Sequence, residues 1–561
     1  MSLFEDIANP ADGELAERYR RIEGLLGKST QDAALHEAFA EWESVRRSWS
    51  SYANVTRLRF AQDTMREERR EAQRQLDERL PGIAALETSA KRSFLEAPVR
   101  RPLEAALGTH AFDIWSADVA CFDPAIAGDL VLESALTREY TQMLAFATAR
   151  FGDEDLTLSG LAKYYTVSDR ATRHAAERAR WSIFEAHAER LDAIYDELVH
   201  LRARMATKLG FADFTTLRYR KMRRLDYDAR DVAGYRDEVV RTVVPLASEL
   251  IARYGAVAGL DRVYLWDEGA LSREGDVTPL GDLDWTVART RESLAAIDPL
   301  LGEFGEALFE EGMFDLEYRR GKQRGAFCTD IPVRNSPFIF TNYTGTSRDI
   351  RTLMHELGHA FQRWQSRDKR VFDYMHPTSE SAEIHSMALE FLSWPQMERF
   401  FGASAPAYRR QHLFDSVLFI PYGAAIDHFQ HLVYAHPSAS ANERHAMWQE
   451  VERRYLPWRD YGDLTHPSKG GLWQEKQHVY VMPFYYIDYT LALCCALQFR
   501  QRSTDDRSSA LADYVTLCAR GGEAPFQDLV RSASVQSPFQ PGVLEGIVEQ
   551  ARAELLPQSA G

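Results

Sequence analysis

The chain has 561 residues, of which 45% are hydrophobic and 27% are charged, and its formal net charge at pH 7 is -16. This composition is typical of a globular protein, and the length allows two or more domains with large cores. Because nucleic acids and anionic membranes repel an acidic surface, the composition argues against both as the main partner.

The cysteine content and the N-terminal segment indicate the cellular compartment of the protein. The chain contains five cysteines without a CxxC pair, and Cys494 and Cys495 lie in the apolar run LALCCALQF, which predicts core residues and no disulfide framework. A lack of disulfides fits a reducing cytosol. The segment MSLFEDIANPADGELAERY lacks the apolar part of a signal peptide, and no uncharged stretch has the length of a membrane span. We therefore expect a cytoplasmic protein, and the sequence leaves its oligomeric state open.

Most of the chain is predicted to be helical. Apolar residues recur at three- and four-residue spacing from about residue 30 to residue 200. The highly charged segment 58–80 is predicted to be a solvated helix with ion pairs one turn apart. We place a domain boundary near residue 200, which gives a helical N-terminal lobe over residues 1–200 and a mostly helical second lobe over residues 201–561.

A less regular stretch follows at residues 255–345. The segment VYLWDEGALSREGDVTPLGDLDW is rich in Gly and Asp and is predicted to be a loop. The segments FDLEYRRGKQRGAFCTD and SPFIFTNYTGTS contain aromatic and β-branched residues, which favour a short antiparallel sheet. Helices are predicted from about residue 347 onwards. Thr346 or Ser347 can cap the first of them, since Asp349 lies at capping-box spacing from Thr346.

That first helix, TGTSRDIRTLMHELGHAFQRW, contains an H-E-x-x-H motif. His355 and His359 are one turn apart, so both imidazoles can bind one zinc ion. Glu356 is rotated by about 100° from His355 and can serve as a general base. A helix whose polar residues match the motif by chance is the alternative interpretation, and a third ligand would argue against it.

The third ligand is not where two common zinc-peptidase patterns place it. Catalytic zinc usually has three protein ligands and one open position. The metzincin position is occupied by Gln365, and the aminopeptidase position is occupied by Thr378. The next predicted helix, within PTSESAEIHSMALEFLSWPQM, offers several candidates: Glu380, Glu383, His385 and Glu390.

Spacing alone does not choose among these candidates. Glu383 is favoured because it lies in the middle of the helix in an apolar setting, where an unpaired carboxylate would be costly. Glu390 shares its face and can accept a hydrogen bond from a ligand histidine. A surface role for Glu380 and a core hydrogen bond for His385 are the simpler interpretations of those two residues.

A second unusual stretch is THPSKGGLWQEKQHVYVMPFYYIDYTLALCCALQF. Its glycines predict a mobile loop at residues 465–471. The stretch then combines one histidine with several tyrosines: His478, Tyr480, Tyr485, Tyr486 and Tyr489. Phenol and imidazole groups can stabilise the oxyanion of a peptidase reaction without competing for the metal. An aromatic-rich start of a core helix is the alternative, and it is the simpler reading of any one tyrosine alone.

Three segments in order, MHELGHAFQ, AEIHSMALE and HVYVMPFYYIDY, resemble the oligoendopeptidase F family, which belongs to the thimet-oligopeptidase-like zinc peptidases. The preceding segment FCTDIPVRNSPFIFTNYTGTSRD is also similar to that family. The resemblance covers about residues 200 to 540, whereas the N-terminal part agrees only in its helical character. Three ordered motifs are far more specific than H-E-x-x-H alone.

The resemblance implies a mainly α fold, with two helical lobes around a deep channel and a small antiparallel sheet beside the H-E-x-x-H helix. It implies one zinc ion bound by His355, His359 and Glu383, with Glu356 as the residue that activates water. The strand over residues 338–343 would be a sheet edge that can pair with an extended peptide. A narrow channel would admit short unfolded peptides and exclude folded proteins.

The resemblance also implies roles for the C-terminal cluster. His478, Tyr486 and Tyr489 would bind the substrate and the oxyanion. Tyr485 can replace Tyr486, because the spacing from histidine to tyrosine differs by about one residue among relatives.

These features together predict a zinc-dependent endopeptidase that cleaves short peptides. A metallocarboxypeptidase of similar helical build is the nearer alternative, but such enzymes carry an HESQS-like segment where this chain has SESAEIHS. A non-catalytic protein that binds metal or peptide is the second alternative, and the intact Glu356 argues against it.

Overall fold

The computed structural model describes residues 4–28, 32–98, 100–271 and 277–556. Its N-terminal part contains the helices α1 (Asp12–Lys28), α2 (Asp32–Gln62), α3 (Glu67–Glu96), α4 (Arg100–Leu107) and α5 (Thr109–Ala120). These helices bury a core of their own around the rings of Trp42, Phe94 and Trp115. Segment 58–80 is not one helix. The Asp63 carboxylate accepts a hydrogen bond from the Met65 N–H at 3.1 Å and closes a turn between α2 and α3.

The middle of the chain connects this N-terminal core to the rest of the protein. It contains α6 (Ala127–Phe146), β1 (Thr148–Phe151), β2 (Glu154–Thr157), α7 (Leu158–Ala162) and α8 (Arg170–Lys208). Strands β1 and β2 form an antiparallel hairpin. The predicted domain boundary at residue 200 lies inside α8, whose buried Tyr195 and Leu198 belong to the same main core as the C-terminal helices. The two-lobe boundary stays a prediction.

The irregular stretch predicted before the metal motif is partly helical. It follows α9 (Phe214–Lys221) and α10 (Ala229–Val257) and contains α11 (Leu265–Glu268), α12 (Leu283–Ile297) and α13 (Pro299–Glu310). The predicted loop over residues 263–285 therefore includes α11 and the start of α12, and residues 272–276 of it lie outside the described residues.

The small sheet is mixed, so the prediction of an antiparallel sheet is wrong for one strand pair. Its strands are β3 (Phe314–Glu317), β4 (Phe327–Ile331) and β5 (Ser336–Tyr343), in the order β3-β5-β4. Strand β4 is antiparallel to β5, whereas β3 is parallel to it. The predicted edge role of residues 338–343 is also wrong, because β5 lies between the other two. The buried run Phe338, Ile339 and Phe340 is typical of a central strand.

Helices form most of the remaining chain, as predicted. They are α14 (Ser347–Gln365), α15 (Ser379–Leu392), α16 (Glu398–Phe401), α17 (Ala405–Ala435), α18 (Ala441–Tyr455), α19 (Gln477–Val481), α20 (Tyr486–Asp505), α21 (Arg507–Arg520), α22 (Phe526–Ser532) and α23 (Val543–Leu555). The capping box of α14 is confirmed. The Asp349 N–H donates to Thr346 Oγ1, and the Thr346 N–H donates to the Asp349 carboxylate at 2.8 Å.

The structure bears on two further predictions, one about the cysteines and one about the glycine-containing segment at residues 465–471. All five cysteines are unpaired, and Cys494 and Cys495 are buried, as predicted. Residues Pro467–Gly471 form a turn that is kinked at Gly470, whose φ is +92° and whose Cβ, if present, would lie 2.4 Å from the His445 carbonyl oxygen. Backbone conformation and close packing therefore explain this glycine, and the mobility of residues 465–471 stays a prediction.

No helix in the described part of the chain is long and apolar enough to cross a membrane.

Candidate metal and active site

The candidate site lies where α14 and α15 pack against each other. Gly358, which stands between the two histidines of the motif, makes this approach possible. A Cβ at that position would lie 2.5 Å from the His385 carbonyl oxygen and 2.6 Å from Ser386 Cα. Only glycine allows so close an approach, and it brings Glu383 on α15 to the histidine face of α14.

The three predicted ligands meet at one point. His355 Nε2 lies 3.3 Å from Glu383 Oε2, and His359 Nε2 lies 3.5 Å from the same oxygen. The nearest donor atoms of all three residues lie within 4.8 Å of one another. Zinc bonds of ~2.1 Å in a tetrahedron separate ligand atoms by roughly 3.4 Å, so this donor set of two nitrogens and one oxygen fits a zinc ion.

Hydrogen bonds hold the ligand side chains in place. His355 Nδ1 lies 2.7 Å from Glu390 Oε1, which leaves His355 Nε2 for the metal. The Glu383 carboxylate accepts hydrogen bonds from the Tyr485 hydroxyl at 2.7 Å and from the Ser386 hydroxyl at 3.2 Å. Burial disfavours its charged form, but the His359 and His355 rings outweigh this effect and hold the pKa of Glu383 well below its usual range.

Glu356 is buried beside the ligands, with 5% of its surface exposed. Its Oε2 atom has no hydrogen-bond partner among the residues that the structure describes. Burial raises the pKa of Glu356, and the nearby His355 and His359 rings oppose that rise. An unsatisfied buried carboxylate oxygen is costly in a folded protein, and a water molecule at a metal site would satisfy it.

The predicted histidine and tyrosines form one aromatic cluster. The His478 ring centroid lies 5.8 Å from that of Tyr485, 5.1 Å from that of Tyr486 and 5.9 Å from that of Tyr489. Burial and the Lys476 charge lower the pKa of His478 to about 4, so its imidazole is neutral at pH 7. Tyr480, by contrast, is fully buried in the core.

The tyrosines differ in their position relative to the metal ligands. Tyr485 donates to Glu383, whereas burial, together with the Glu383 charge, raises the pKa of Tyr489. Tyr486 packs against Phe419 and Tyr422, and burial raises its pKa to about 12. Among the tyrosines of this cluster, Tyr485 and Tyr489 are therefore the two that interact with the carboxylate of the candidate ligand Glu383.

The backbone before Tyr485 is held by buried side chains that the sequence did not single out. Phe484 has φ +62°, a left-handed conformation that is strained for an aromatic residue. The Gln430 side chain accepts from the Phe484 N–H at 2.9 Å, and Arg224 donates to the Phe484 carbonyl at 2.7 Å. Arg224 also donates to Asp488 at 2.6 Å. These contacts form only in the folded chain, so no local pattern indicates them.

A cavity of about 540 Å³ opens beside the ligands. Its lining includes Glu390, His412, Tyr486 and Tyr489 from the C-terminal half, together with Thr166 from the N-terminal half. The cavity thus lies between parts of the chain that the sequence predicts to belong to different lobes, and its lining reaches the candidate ligands through Glu390, which contacts His355.

Two neighbours of the third ligand differ from their simplest interpretations. Glu380 was expected at the surface but is completely buried, and neither carboxylate oxygen has a hydrogen-bond partner within the described ranges. His385 is buried, and burial lowers its pKa to about 4. The ring nitrogens of His385 have no partner with hydrogen-bond geometry among the described residues, so the expected core hydrogen bond is not formed.

Replacing Glu380 with Gln should make stability less dependent on pH. Burial and the adjacent Asp488 carboxylate raise the pKa of Glu380 above its ordinary value of 4.5. The folded state then binds the proton more tightly than the unfolded state, so stability falls as the pH rises above 4.5. Urea midpoints measured at about pH 5 and about pH 8 should therefore fall less in Glu380→Gln than in the wild type.

The exposed Glu450 on α18 provides the control for this prediction. Glu450→Gln should show the same loss of stability with pH as the wild type. Equal pH dependence of Glu380→Gln and the wild type would contradict the assignment of this effect to Glu380.

Comparisons with known proteins agree on one family. The model of peptidase family M3 matches residues 297–549, and the model of the peptidase M3 N-terminal domain matches residues 7–122. A solved structure of PZ peptidase A with an inhibitor is 38% identical, with a TM-score of 0.94, and 98% of each chain is covered. A structure described as a putative oligoendopeptidase F is 40% identical, with a TM-score of 0.95, over 100% of this chain and 99% of the other.

A curated relative supports the same grouping. The chromosomal oligoendopeptidase F of Lactococcus lactis subsp. cremoris is 32% identical over 120 residues, and the aligned segment spans 20% of each of the two chains. Since the two structural relatives cover nearly the whole chain and both family models match, the chain belongs to peptidase family M3, as a homologue of oligoendopeptidase F.

Proposed function

We propose that this member of a peptidase family is a zinc-dependent endopeptidase that hydrolyses short unfolded peptides. The observation that carries the proposal is the convergence of His355, His359 and Glu383 on one point beside the buried, unsatisfied carboxylate of Glu356. Family membership supports a metallopeptidase, and the two nitrogen ligands with one carboxylate support zinc as the metal.

Glu356 is proposed to be the general base. A bound zinc ion would supply Lewis-acid chemistry, by polarising the scissile carbonyl and lowering the pKa of a water molecule. Glu356 would take a proton from that water at its free Oε2 and return it to the leaving amine. Its raised pKa, a consequence of burial, strengthens it as a base.

His478, Tyr489 and one of the tyrosines 485 and 486 are proposed to bind the substrate and stabilise the oxyanion. His478 is neutral at pH 7, and the raised pKa values keep the phenols protonated, so each can donate a hydrogen bond. Donors placed in advance around a developing negative charge are among the strongest contributions to catalysis. Tyr485 contacts the proposed ligand Glu383 but gives its single phenolic proton to that carboxylate, so Tyr485 and Tyr486 both stay candidates for the second donor.

The substrate class follows from the cavity and from the relatives. A cavity of about 540 Å³ accommodates a short extended peptide but not a folded domain. One of the relatives reported above is described as an oligoendopeptidase F and another as a putative oligoendopeptidase F, which favours this function over the carboxypeptidase alternative. A cytoplasmic location stays a prediction from the sequence.

Cleavage of an internally quenched peptide that is blocked at both ends tests the proposal. We expect cleavage that a chelator abolishes and added zinc restores. Release of C-terminal residues only from peptides with free ends would instead identify a carboxypeptidase. A zinc-loaded protein that cleaves neither kind of peptide would contradict the proposed activity.

A further inference from the structure

A chain of hydrogen bonds leads from the proposed ligand His355 through Glu390 to His412 and Trp394. His355 Nδ1 lies 2.7 Å from Glu390 Oε1, and the other oxygen of Glu390 lies 3.0 Å from His412 Nε2. The Trp394 indole N–H in turn donates to His412 Nδ1 at 3.0 Å. These residues come from α14, α15, α17 and the turn after α15, so the chain exists only in the folded protein.

The direction of each hydrogen bond follows from chemistry. An indole N–H can only donate, so His412 Nδ1 must accept. A neutral His412 therefore carries its proton on Nε2 and donates it to Glu390. Burial lowers the pKa of His412, in agreement with the neutral ring. With one oxygen satisfied in this way, the Glu390 carboxylate accepts the Nδ1 proton of His355 on its other oxygen.

Packing fixes the His412 ring in this orientation. The ring stacks on Phe391 with a centroid distance of 4.5 Å and an interplanar angle of 3°. Only 4% of the His412 surface is exposed. The ring therefore cannot turn to exchange its two nitrogens without losing both the stacking and the hydrogen bonds.

We propose that His412 is a positioning residue for the metal centre, which acts through Glu390 to hold His355 in its metal-binding tautomer. Removal of the His412 donor leaves the buried Glu390 carboxylate without one of its hydrogen bonds. Glu390 is then free to turn away from His355, and this movement weakens its hold on the ligand. This inference rests on the metal site proposed above and concerns metal affinity, which is measurable without substrate.

Zinc affinity of the metal-free protein, measured by competition with a chromophoric chelator, tests the proposal. His412→Leu retains most of the volume of the ring and removes its N–H group. We expect its zinc affinity to fall by about 10-fold, the lower end of the range for groups that contact a ligand directly, because His412 acts through Glu390. His412→Gln places an amide N–H near the position of Nε2, so we expect it to recover the affinity to within about 3-fold of the wild type.

The control variant is His428→Leu, which removes a partly buried histidine from the same helix, where its ring contacts Tyr455. We expect its zinc affinity to be unchanged. Thermal unfolding of the metal-free variants separates folding from metal binding, since a merely structural His412 would lower stability and leave zinc affinity unchanged.

The outcomes distinguish this inference from the metal site on which it rests. If the wild type binds no zinc, the metal site itself is wrong and the inference falls with it. If the wild type binds zinc and His412→Leu binds it equally well, the inference alone is overturned. Equal losses in His412→Leu and His412→Gln would also overturn it, because the donor would not matter. If His412→Leu does not fold, His412→Phe replaces it, because it keeps a ring to stack on Phe391 and lacks the N–H, and an unchanged zinc affinity there would overturn the inference.

Discussion

Replacement of Glu356 by Gln should lower the turnover of a blocked peptide by about 10²- to 10⁴-fold and leave zinc binding intact. Gln has the shape of Glu but cannot take a proton at neutral pH. Glu356 is not among the three residues whose donor atoms converge on one point, so the ligand set remains complete. We therefore expect kcat to fall in a variant whose zinc content, measured by atomic absorption, equals that of the wild type.

The structure predicts that this variant folds. Glu356 Oε2 lacks a hydrogen-bond partner in the described part of the chain, so the substitution breaks no hydrogen bond at that atom. Glu450→Gln, on an exposed face of α18, is the matched control and should retain full turnover. Normal turnover by a zinc-loaded Glu356→Gln protein would remove Glu356 from the role of general base.

The part of the site that lies within one helix was predictable from the sequence. His355, Glu356 and His359 are local, because helical geometry alone sets the relative directions of their side chains. Glu383 was harder, because its position depends on the packing of α14 against α15. That packing depends on Gly358, whose missing side chain lets the two backbones approach. Gly358 is part of the sequence motif, but the sequence does not show that this glycine packs against α15.

Three of the differences between prediction and structure share one physical cause, since each concerns partners that are distant in the sequence. Strand β5 was predicted as an edge because its own residues do not show that β3 pairs with it in parallel. Glu380 was assigned to the surface because a glutamate near a helix start is usually solvated, whereas the fold buries it near Asp488. The sequence does not indicate a role for His412, because no motif surrounds it and its contacts with Glu390 and Trp394 form only on folding.

Tyr489 lines the cavity and lies near the proposed metal ligand Glu383. The volume of this cavity is about 540 Å³, and burial, together with the charge of Glu383, raises the pKa of Tyr489. Its hydroxyl is therefore protonated at neutral pH and can donate to an oxygen that becomes negative during the reaction. Tyr485 is close to the same ligand, but its hydroxyl donates to Glu383 directly.

Replacement of Tyr489 by Phe should lower kcat by about 10²- to 10³-fold with little change in KM, the effect expected when one oxyanion donor is lost. Tyr486→Phe is the matched control from the same cluster. Tyr486 lines the cavity but packs against Phe419 and Tyr422, so its substitution should change KM and leave kcat within about 3-fold. Steady-state kinetics on the blocked peptide separates the two effects.

Tyr485→Phe completes this comparison and decides which neighbour of Tyr489 acts with it. Loss of the Tyr485 hydroxyl frees Glu383 Oε1 from its hydrogen bond, so kcat should fall while the three zinc ligands stay in place. A fall in kcat for Tyr485→Phe with unchanged zinc affinity, and no fall for Tyr486→Phe, would support the pair Tyr485 and Tyr489, whereas a fall that accompanies weaker zinc binding would limit Tyr485 to supporting Glu383. The opposite pattern would assign the second donor to Tyr486, and unchanged kcat in Tyr489→Phe would contradict an oxyanion role for this cluster. The three variants differ from the wild type by one oxygen atom each, so a difference among them reports the position of that atom and not the packing of the ring.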